Sequence, residues 1–528
     1  MKVRITGRGD FSYEDVLIST INPLTHGVDF IQHQVERMTI MYQNLEELTN
    51  HIVFHYFAEI SSIPRGSGNE QAISDYLVRF AQDRNMEVIQ DKSLNVIIKK
   101  VATVGYEHAP TVIIQGHMDM VCEKNRDTIH DFKNDPLQLR IIGDMLYATD
   151  TTLGADNGVA VAYALALLDS NELPHPALEI VITTEEETTM NGALAVSADH
   201  FKGEILINID SEEDGKLLVS SAGGVRVTQV LPILWTSISD EEVAYSIRIS
   251  GLKGGHSGIS IDKERGNSNK LLGRVLHDLS IDFLFSIQQI NGGLKSNAIP
   301  REAEAIVLFQ VGDVEKIKQK IQQWDQIFKD ELQSSDPDVT IGFKSKETIS
   351  ATVFTEETKR KAITSLLLIP HGVQGMSMGI DGLVESSTNL GVVTTTDTEM
   401  KFESEIRSSI KSQKVHMVTQ VKSLAALLDC NVVIDSDYPE WPYNPNSKVK
   451  KLFEETYKEK YGKEMEVIAV HAGIECGVFI EKIPGLDAVS IGPDMYNVHT
   501  PDEHLSIPST INNWAYFIYT LKRMKDMV

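Results

Sequence analysis

Beyond about position 45, apolar residues along this chain follow two rhythms, one repeating every three to four residues and one every two. Leu45, Leu48, Ile52, Val53, Tyr56, Phe57 and Ile60 keep the helical rhythm, which predicts a helix over 45–60 that stops at Pro64-Arg65-Gly66-Ser67-Gly68. A second helix is predicted over 70–84. Short β-rich runs follow at 87–89, 96–98, 111–114, 178–183 and 204–209, interleaved with a helical stretch at 159–168. Strands alternating with helices predict an α/β sheet.

From about 224 to 443 the texture changes to alternating strands such as 244–249 and 305–311 and amphipathic helices such as 314–332, which predicts a second, α+β domain. Two of its stretches resemble each other loosely, each a strand, a basic residue (Arg265, Arg407) and a helix (271–279, 415–428), as an internal duplication would. After Trp441-Pro442-Tyr443 the α/β texture returns, with a helix over 449–460 and strands at 466–470 and 488–491. The simplest reading is an insertion: an α/β domain built from 45–223 and 444–528 is interrupted by an α+β lid at 224–443, with 1–44 as an N-terminal extension. Residues 1–37 lack periodicity, and their apolar run at 16–21 is broken by Ser19 and Thr20 with no small-residue cleavage site after it. This stretch is read as a poorly ordered extension or an upstream start, not as a signal peptide.

A chain of 528 residues exceeds one ordinary core, which agrees with two domains. Its three cysteines, Cys122, Cys430 and Cys476, are odd in number and widely spaced, so neither a disulfide framework nor a Cys-rich zinc module is expected, and a cytoplasmic location fits. The net charge of -26 argues against a nucleic-acid partner. The longest apolar stretch, 159–168, is far short of the roughly 20 residues that cross a bilayer, so no membrane span is expected.

Several segments bring metal-binding side chains to the ends of predicted elements. Val112-Ile113-Ile114-Gln115-Gly116-His117-Met118-Asp119 is a buried strand ending in His-x-Asp, whose period of two puts both polar side chains on one face. Leu153-Gly154-Ala155-Asp156-Asn157-Gly158 opens the helix at 159–168, where Asp156 alone reads as an N-cap. Glu185, Glu186 and Glu187 end another apolar strand, Asp210 follows 205–209, and His499 sits in a loop near the end of the chain. Each has an ordinary explanation taken singly. Together they place His117, Asp156, a glutamate of the triplet, Asp210 and His499 in one α/β domain, and five imidazole and carboxylate ligands exceed what one tetrahedral zinc ion needs. The set points to two ions sharing a carboxylate.

The sequence also resembles the dizinc exopeptidases, and within them the aminoacyl-histidine dipeptidase branch that includes carnosine-cleaving enzymes. The resemblance rests on Ile63-Pro64-Arg65-Gly66-Ser67-Gly68-Asn69-Glu70, Gly116-His117-Met118-Asp119-Met120-Val121, Gly154-Ala155-Asp156-Asn157-Gly158, Asn208-Ile209-Asp210-Ser211-Glu212-Glu213, Gly254-Gly255-His256-Ser257-Gly258 and His471-Ala472-Gly473-Ile474-Glu475-Cys476-Gly477. It implies that Asp156 bridges two Zn2+ ions, with His117 and Asp210 on one and Glu187 and His499 on the other, Mn2+ or Co2+ being possible substitutes. Asp119 would orient His117, Glu186 would be the general base for a metal-activated water, and His256 would polarise the scissile carbonyl. Asn297 and Arg407 would hold the substrate's termini, Arg suiting a C-terminal carboxylate through its bidentate fork. Thr189 stands where the family usually has Gly, so a register of Glu185 and Glu186 in place of Glu186 and Glu187 stays open.

The activity implied is hydrolysis of dipeptides, Xaa-His including β-Ala-His and broader unblocked dipeptides, under a lid that measures substrate length. An aminoacylase or carboxypeptidase on the same site, or a non-catalytic metal-binding scaffold, are the alternatives; the sequence also leaves open whether the protein forms a homodimer. Gly255-His256-Ser257-Gly258 is not a nucleophile elbow, because Ile259 occupies the final Gly position.

Overall fold

The computed structural model describes residues 42, 44–238, 242–346 and 350–527. The expectation for residues 1–37 lies outside the described residues. The predicted helix over 45–60 is two helices, Leu45–Leu48 and α1 (Ile52–Ser61). Thr49 and Asn50 interrupt them, and the Thr49 hydroxyl donates to the Glu46 carbonyl at 3.0 Å, a local bond that competes with helix continuation.

The chain continues through α2 (Gln71–Asp83), β1 (Glu87–Gln90), β2 (Val96–Lys100), β3 (Val112–His117), α3 (Ala155–Asp169), β4 (Leu178–Thr183), β5 (Ile205–Asn208) and β6 (Lys216–Ser221). A second group of strands follows: β7 (Gly223–Pro232), β8 (Glu242–Ser250), β9 (Phe285–Gly292), β10 (Ala303–Gln310), β11 (Thr340–Ser345), β12 (Val384–Thr395), β13 (Glu399–Ser408) and β14 (Asn431–Tyr438). Between them lie α4 (Ser268–Asp282), α5 (Val314–Glu331), α6 (Glu356–Leu368) and α7 (Lys411–Leu427). The chain then returns through α8 (Lys448–Tyr461), β15 (Glu466–Val470), α9 (Cys476–Lys482), β16 (Asp487–Ser490) and α10 (Ile507–Arg523).

The first and last groups form one eight-stranded sheet in the order β1-β2-β4-β3-β5-β16-β6-β15. Its central strands β4, β3, β5 and β16 run parallel, so their carboxyl ends share one edge. β3 and β4 are buried throughout, as strands covered on both faces must be. α3 is apolar on nearly every side because it is walled in: Tyr163 packs against Trp514 and Phe517 of α10 and donates its hydroxyl to the Thr510 carbonyl at 2.7 Å.

The middle group forms a separate sheet in the order β11-β8-β10-β9-β12-β13-β7-β14, with the strand Gly372–Met376 added on β12. Two βαββαβ units make it up. One is β8-α4-β9-β10-α5-β11; the other is β7-α6-β12-β13-α7-β14, and the first is nested between β7 and α6 of the second. The two meet back to back at β9 and β12, which pair only through Gly292 and Val393. A duplication is therefore visible, but not the one expected: α4 occupies the place of α6, and α7 that of α5. Pairing 271–279 with 415–428 aligned the first helix of one unit with the second helix of the other.

The two sheets meet through short links. Ser221 and Trp441 exchange backbone hydrogen bonds at 3.0 Å each way, and His471 Nε2 lies 2.7 Å from the Ser387 hydroxyl of β12. Among the described residues no helix is long and apolar enough to cross a membrane.

The seam between the units gives a stability test. Gly293 has φ +73°, and a Cβ there would stand 1.8 Å from the Gly391 carbonyl oxygen. Gly293→Ala is expected to cost about 2–4 kcal/mol by combining backbone strain with a clash neither strand can relieve. Chemical denaturation measures this; a loss under about 0.5 kcal/mol would mean that the seam yields freely.

Candidate metal and catalytic site

Apart from His499, which lies in the turn between the short strands Met495–Tyr496 and His504–Ser506, each candidate ligand sits where a parallel strand ends or a helix begins, the edge at which open α/β sheets present functional groups. His117 ends β3, Glu186 and Glu187 follow β4, Asp210 follows β5, and the loop after β16 carries His499. Asp156 stands at the start of α3 and does not cap it. That task falls to Glu503, whose carboxylate accepts the backbone N–H groups of Leu153 at 2.7 Å, Gly154 at 2.9 Å, Ala155 at 2.7 Å and Asp156 at 3.4 Å. A carboxylate across four orphan amides at a helix N-terminus is favourable on both hydrogen-bond and dipole grounds. It leaves the side chain of Asp156 free.

Asp156 Oδ1 lies 3.1 Å from His117 Nε2 and its Oδ2 lies 3.2 Å from His499 Nε2, one oxygen toward each imidazole. Asp210 Oδ1 is 3.5 Å from His117 Nε2, and Glu187 Oε2 is 3.0 Å from His499 Nε2. One ligand atom each from His117, Asp156 and Glu187 falls within 4.8 Å of the others. Glu185 turns away and accepts from the Asn191 side chain at 2.9 Å, so it is Glu187 that faces His499 and Glu186 that lies between.

Asp119 organises this arrangement. Its Oδ1 is 3.3 Å from His117 Nδ1, and its two oxygens accept the backbone N–H of Glu186 at 3.1 Å, that of Glu187 at 3.3 Å and the Ser67 hydroxyl at 2.7 Å. One buried carboxylate thus orients a histidine and fixes the turn that carries two glutamates. Arg65, fully buried, donates to the carbonyls of Met118 at 3.0 Å, Asp119 at 3.3 Å and Gly154. Asn157 accepts from His117 N at 3.2 Å and donates to the Ile209 carbonyl at 2.6 Å. These two residues tie β3, β5 and α3 to one another.

The charges do not balance from within. Each histidine Nε2 faces two carboxylates yet carries at most one proton, so no tautomer satisfies both. Burial pulls the His117 pKa down, but hydrogen bonds to Asp119, Asp156 and Asp210 hold it well above 6.5. Hydrogen bonds to Asp156 and Glu187 push His499 up to about 11. Burial raises Asp210 to about 6, and burial with the charges of Asp156 and Asp210 raises Glu212 to about 7. Two imidazoles and three crowded carboxylates, with Asp156 facing both histidines, are a donor set suited to divalent cations.

Glu186 is chemically different from its neighbour. Among the described residues its carboxylate has no hydrogen-bond partner, and burial together with the charges of Asp210, Glu475 and Glu187 raises its pKa well above 4.5. Such a group is poised to accept a proton. Beneath it Glu475 accepts from Gln115 and, at 2.6 Å, from Thr183, burial holding its pKa at about 8.

The remaining candidates gather around Ser257 in the middle sheet's loops. Ser257 N donates to the Asn297 carbonyl at 2.9 Å, and its hydroxyl is 3.5 Å from Arg407 Nε. His256 and Asn297 line one cavity of about 370 Å3. His256 Nδ1 accepts the backbone N–H groups of Gly258 and Ile259, both at 3.2 Å. Its one ring proton is therefore on Nε2, and burial and then the Arg407 charge lower its pKa to about 4. Arg407 is buried and Asn297 is exposed. Glu503, Asn157 and Glu475 were not among the sequence candidates; Glu503 acts on amides some 350 positions earlier in the chain, which no local pattern signals.

Residues 113–523 match the profile of Peptidase family M20/M25/M40. The chain is 36% identical over 480 residues to the cytosol non-specific dipeptidase of Escherichia coli (strain K12), covering 91% of this chain and 99% of that protein. It superposes on the crystal structure of aminoacylhistidine dipeptidase from Vibrio alginolyticus with a TM-score of 0.84 at 35% identity, covering 91% of this chain and 98% of that one. A tripeptidase from Staphylococcus aureus shares the fold at a TM-score of 0.51 and 16% identity, covering 90% and 98%. With its ligand edge, its mixed α/β sheet and a match over most of its length, the chain belongs to peptidase family M20/M25/M40 and is a peptide hydrolase.

Proposed function

We propose that this protein is a cytoplasmic dipeptidase that hydrolyses unblocked dipeptides, Xaa-His and β-Ala-His among them. The observation that carries the reading is Asp156, one oxygen toward each histidine, with the unpartnered carboxylate of Glu186 beside it. His117 and Asp210 would hold one Zn2+ ion and Glu187 and His499 the other, with Asp156 shared. Bound there, a pair of divalent cations supplies Lewis acidity, which lowers the pKa of a water and stabilises negative charge on the carbonyl oxygen.

The chain's own groups do the rest. Glu186 takes a proton from the attacking water at its free carboxylate and returns it to the leaving amine. Asp119 keeps His117 in one orientation through Nδ1. His256 donates from Nε2 to the carbonyl oxygen as negative charge develops there. Arg407 receives the free C-terminal carboxylate and Asn297 helps to hold the substrate's ends, while the middle sheet covers the site and restricts substrate length. The cytosolic naming of the Escherichia coli relative supports the location.

The reading is tested by following histidine release from β-alanyl-histidine and amino-acid release from Ala-Ala and acetyl-alanine, with and without a chelator. Both dipeptides should be cleaved, the chelator should abolish cleavage, and Zn2+, Mn2+ or Co2+ should restore it. Glu186→Ala should lower kcat by at least about 100-fold with metal still bound. Cleavage of acetyl-alanine alone would replace the dipeptidase reading with an aminoacylase, and no cleavage after metal is restored would sink it.

His256 gives a second test. Its pKa lies below the ordinary 6.5, at about 4, so the ring is neutral from pH 5 upward and gains charge only as pH falls through about 4. His256→Ala should cost about 100- to 1,000-fold in kcat, without removing any limb of the pH–rate profile between pH 5 and 9. A wild-type limb near pH 6.5 that vanishes in the variant would contradict the neutral donor.

A further inference from the structure

Arg407 is held from several sides. Its Nε faces the Ser257 hydroxyl, Nη2 lies 3.6 Å from Glu405 Oε1, and Nη1 donates to the Tyr438 hydroxyl oxygen at 2.5 Å. A guanidinium has five N–H groups in a fixed plane. These three contacts leave an N–H on each terminal nitrogen for a further acceptor, and a carboxylate can bridge two such nitrogens.

Tyr438 has a specific setting. It ends β14, at the point where the chain leaves the middle sheet. Its ring is wedged between β7 and the loop that follows β15: a Cβ at Gly224 would lie 2.3 Å from its hydroxyl oxygen, and one at Gly473 would lie 2.7 Å from the ring. Neither position tolerates a side chain while the ring stays where it is. The oxygen accepts from Arg407, which leaves the O–H proton to be donated, and among the described residues nothing accepts it. Burial raises the Tyr438 pKa against the opposing Arg407 charge, and the charges of Glu405 and Glu186 add to the rise. The hydroxyl stays protonated, and Glu186 is close enough for its charge to be felt there.

We propose that Tyr438 is a substrate-binding residue that holds Arg407 in place and donates its own O–H to the same C-terminal carboxylate, so that a guanidinium and a phenol together read the free end of the substrate. The inference rests on Arg407 receiving that carboxylate, as set out above. It adds a specificity determinant: an unblocked C-terminus meets N–H groups and an O–H, whereas a C-terminal amide leaves both donor types poorly matched. Peptides blocked at this end are therefore discriminated against by binding.

The test compares Ala-Ala with Ala-Ala amide on wild-type protein and Tyr438→Phe, with metal saturating. Removing one hydrogen bond to a charged group should lower kcat/KM for Ala-Ala by about 10- to 100-fold, chiefly through KM. Cleavage of the amide should change by less than about twofold. Where the amide is cleaved too slowly to follow, its inhibition constant against Ala-Ala gives the same comparison. Gly473→Ala, which pushes the ring while keeping the hydroxyl, should narrow the acid-to-amide preference in the same direction and decides the matter if Tyr438→Phe does not fold. An unchanged preference in a folded variant overturns the role of Tyr438. Failure of wild-type protein to cleave Ala-Ala overturns the dipeptidase reading itself, and this inference with it.

Discussion

Mutual repulsion among buried carboxylates is the constraint around which this molecule is arranged. Asp156, Glu187 and Asp210 converge on two histidines at one sheet edge, and Glu186, Glu212 and Glu475 crowd behind them. Side chains so placed would swing apart unless their backbones were fixed by something stronger than their own contacts. Asp119 fixes the Glu186 and Glu187 amides, Glu503 fixes those ahead of Asp156, and Arg65 ties the loop after β3 to the start of α3. Two of these three fasteners are themselves acidic. They accept backbone N–H groups, whose dipoles offset part of the charge they carry.

Much of this was legible in the chain. The rhythm of Val112 to Ile114 and of Leu178 to Ile182 located two central strands, and the polar residues at the end of each located candidate ligands. These signals are local, because a strand's burial and the position of its end depend on neighbouring residues. What was not legible acts at a distance. Nothing near Glu503 announces a helix whose amides it caps across the fold, and Asp156 reads as its own cap until that remote carboxylate takes its place. The nesting of two βαββαβ units was hidden for a related reason: similar helices recur in both, and only strand order tells which helix matches which.

The two sheets divide the work. On the reading proposed above, the α/β sheet supplies the groups that bind cations and move a proton, at strand ends and at the start of α3. The middle sheet supplies His256, Asn297 and Arg407, the groups proposed to recognise the substrate. Their meeting place is small. His471 touches Ser387, and the His471 carbonyl lies where a side chain at Gly258 would stand, 2.1 Å from its Cβ. Substitutions in either sheet that shift this contact would change recognition and chemistry together.

The chain enters the middle sheet along β7 and leaves it along β14, and these two strands are hydrogen-bonded neighbours. Just outside them Ser221 and Trp441 are already bonded to each other. More than two hundred residues thus hang from a doorway one strand pair wide. To the α/β sheet, the whole insertion is topologically no more than a long hairpin loop. Its removal would leave two ends side by side, ready to be rejoined by a tight turn, so an architecture of this kind is open to gaining, losing or exchanging its substrate-reading half while the metal-binding half keeps its path.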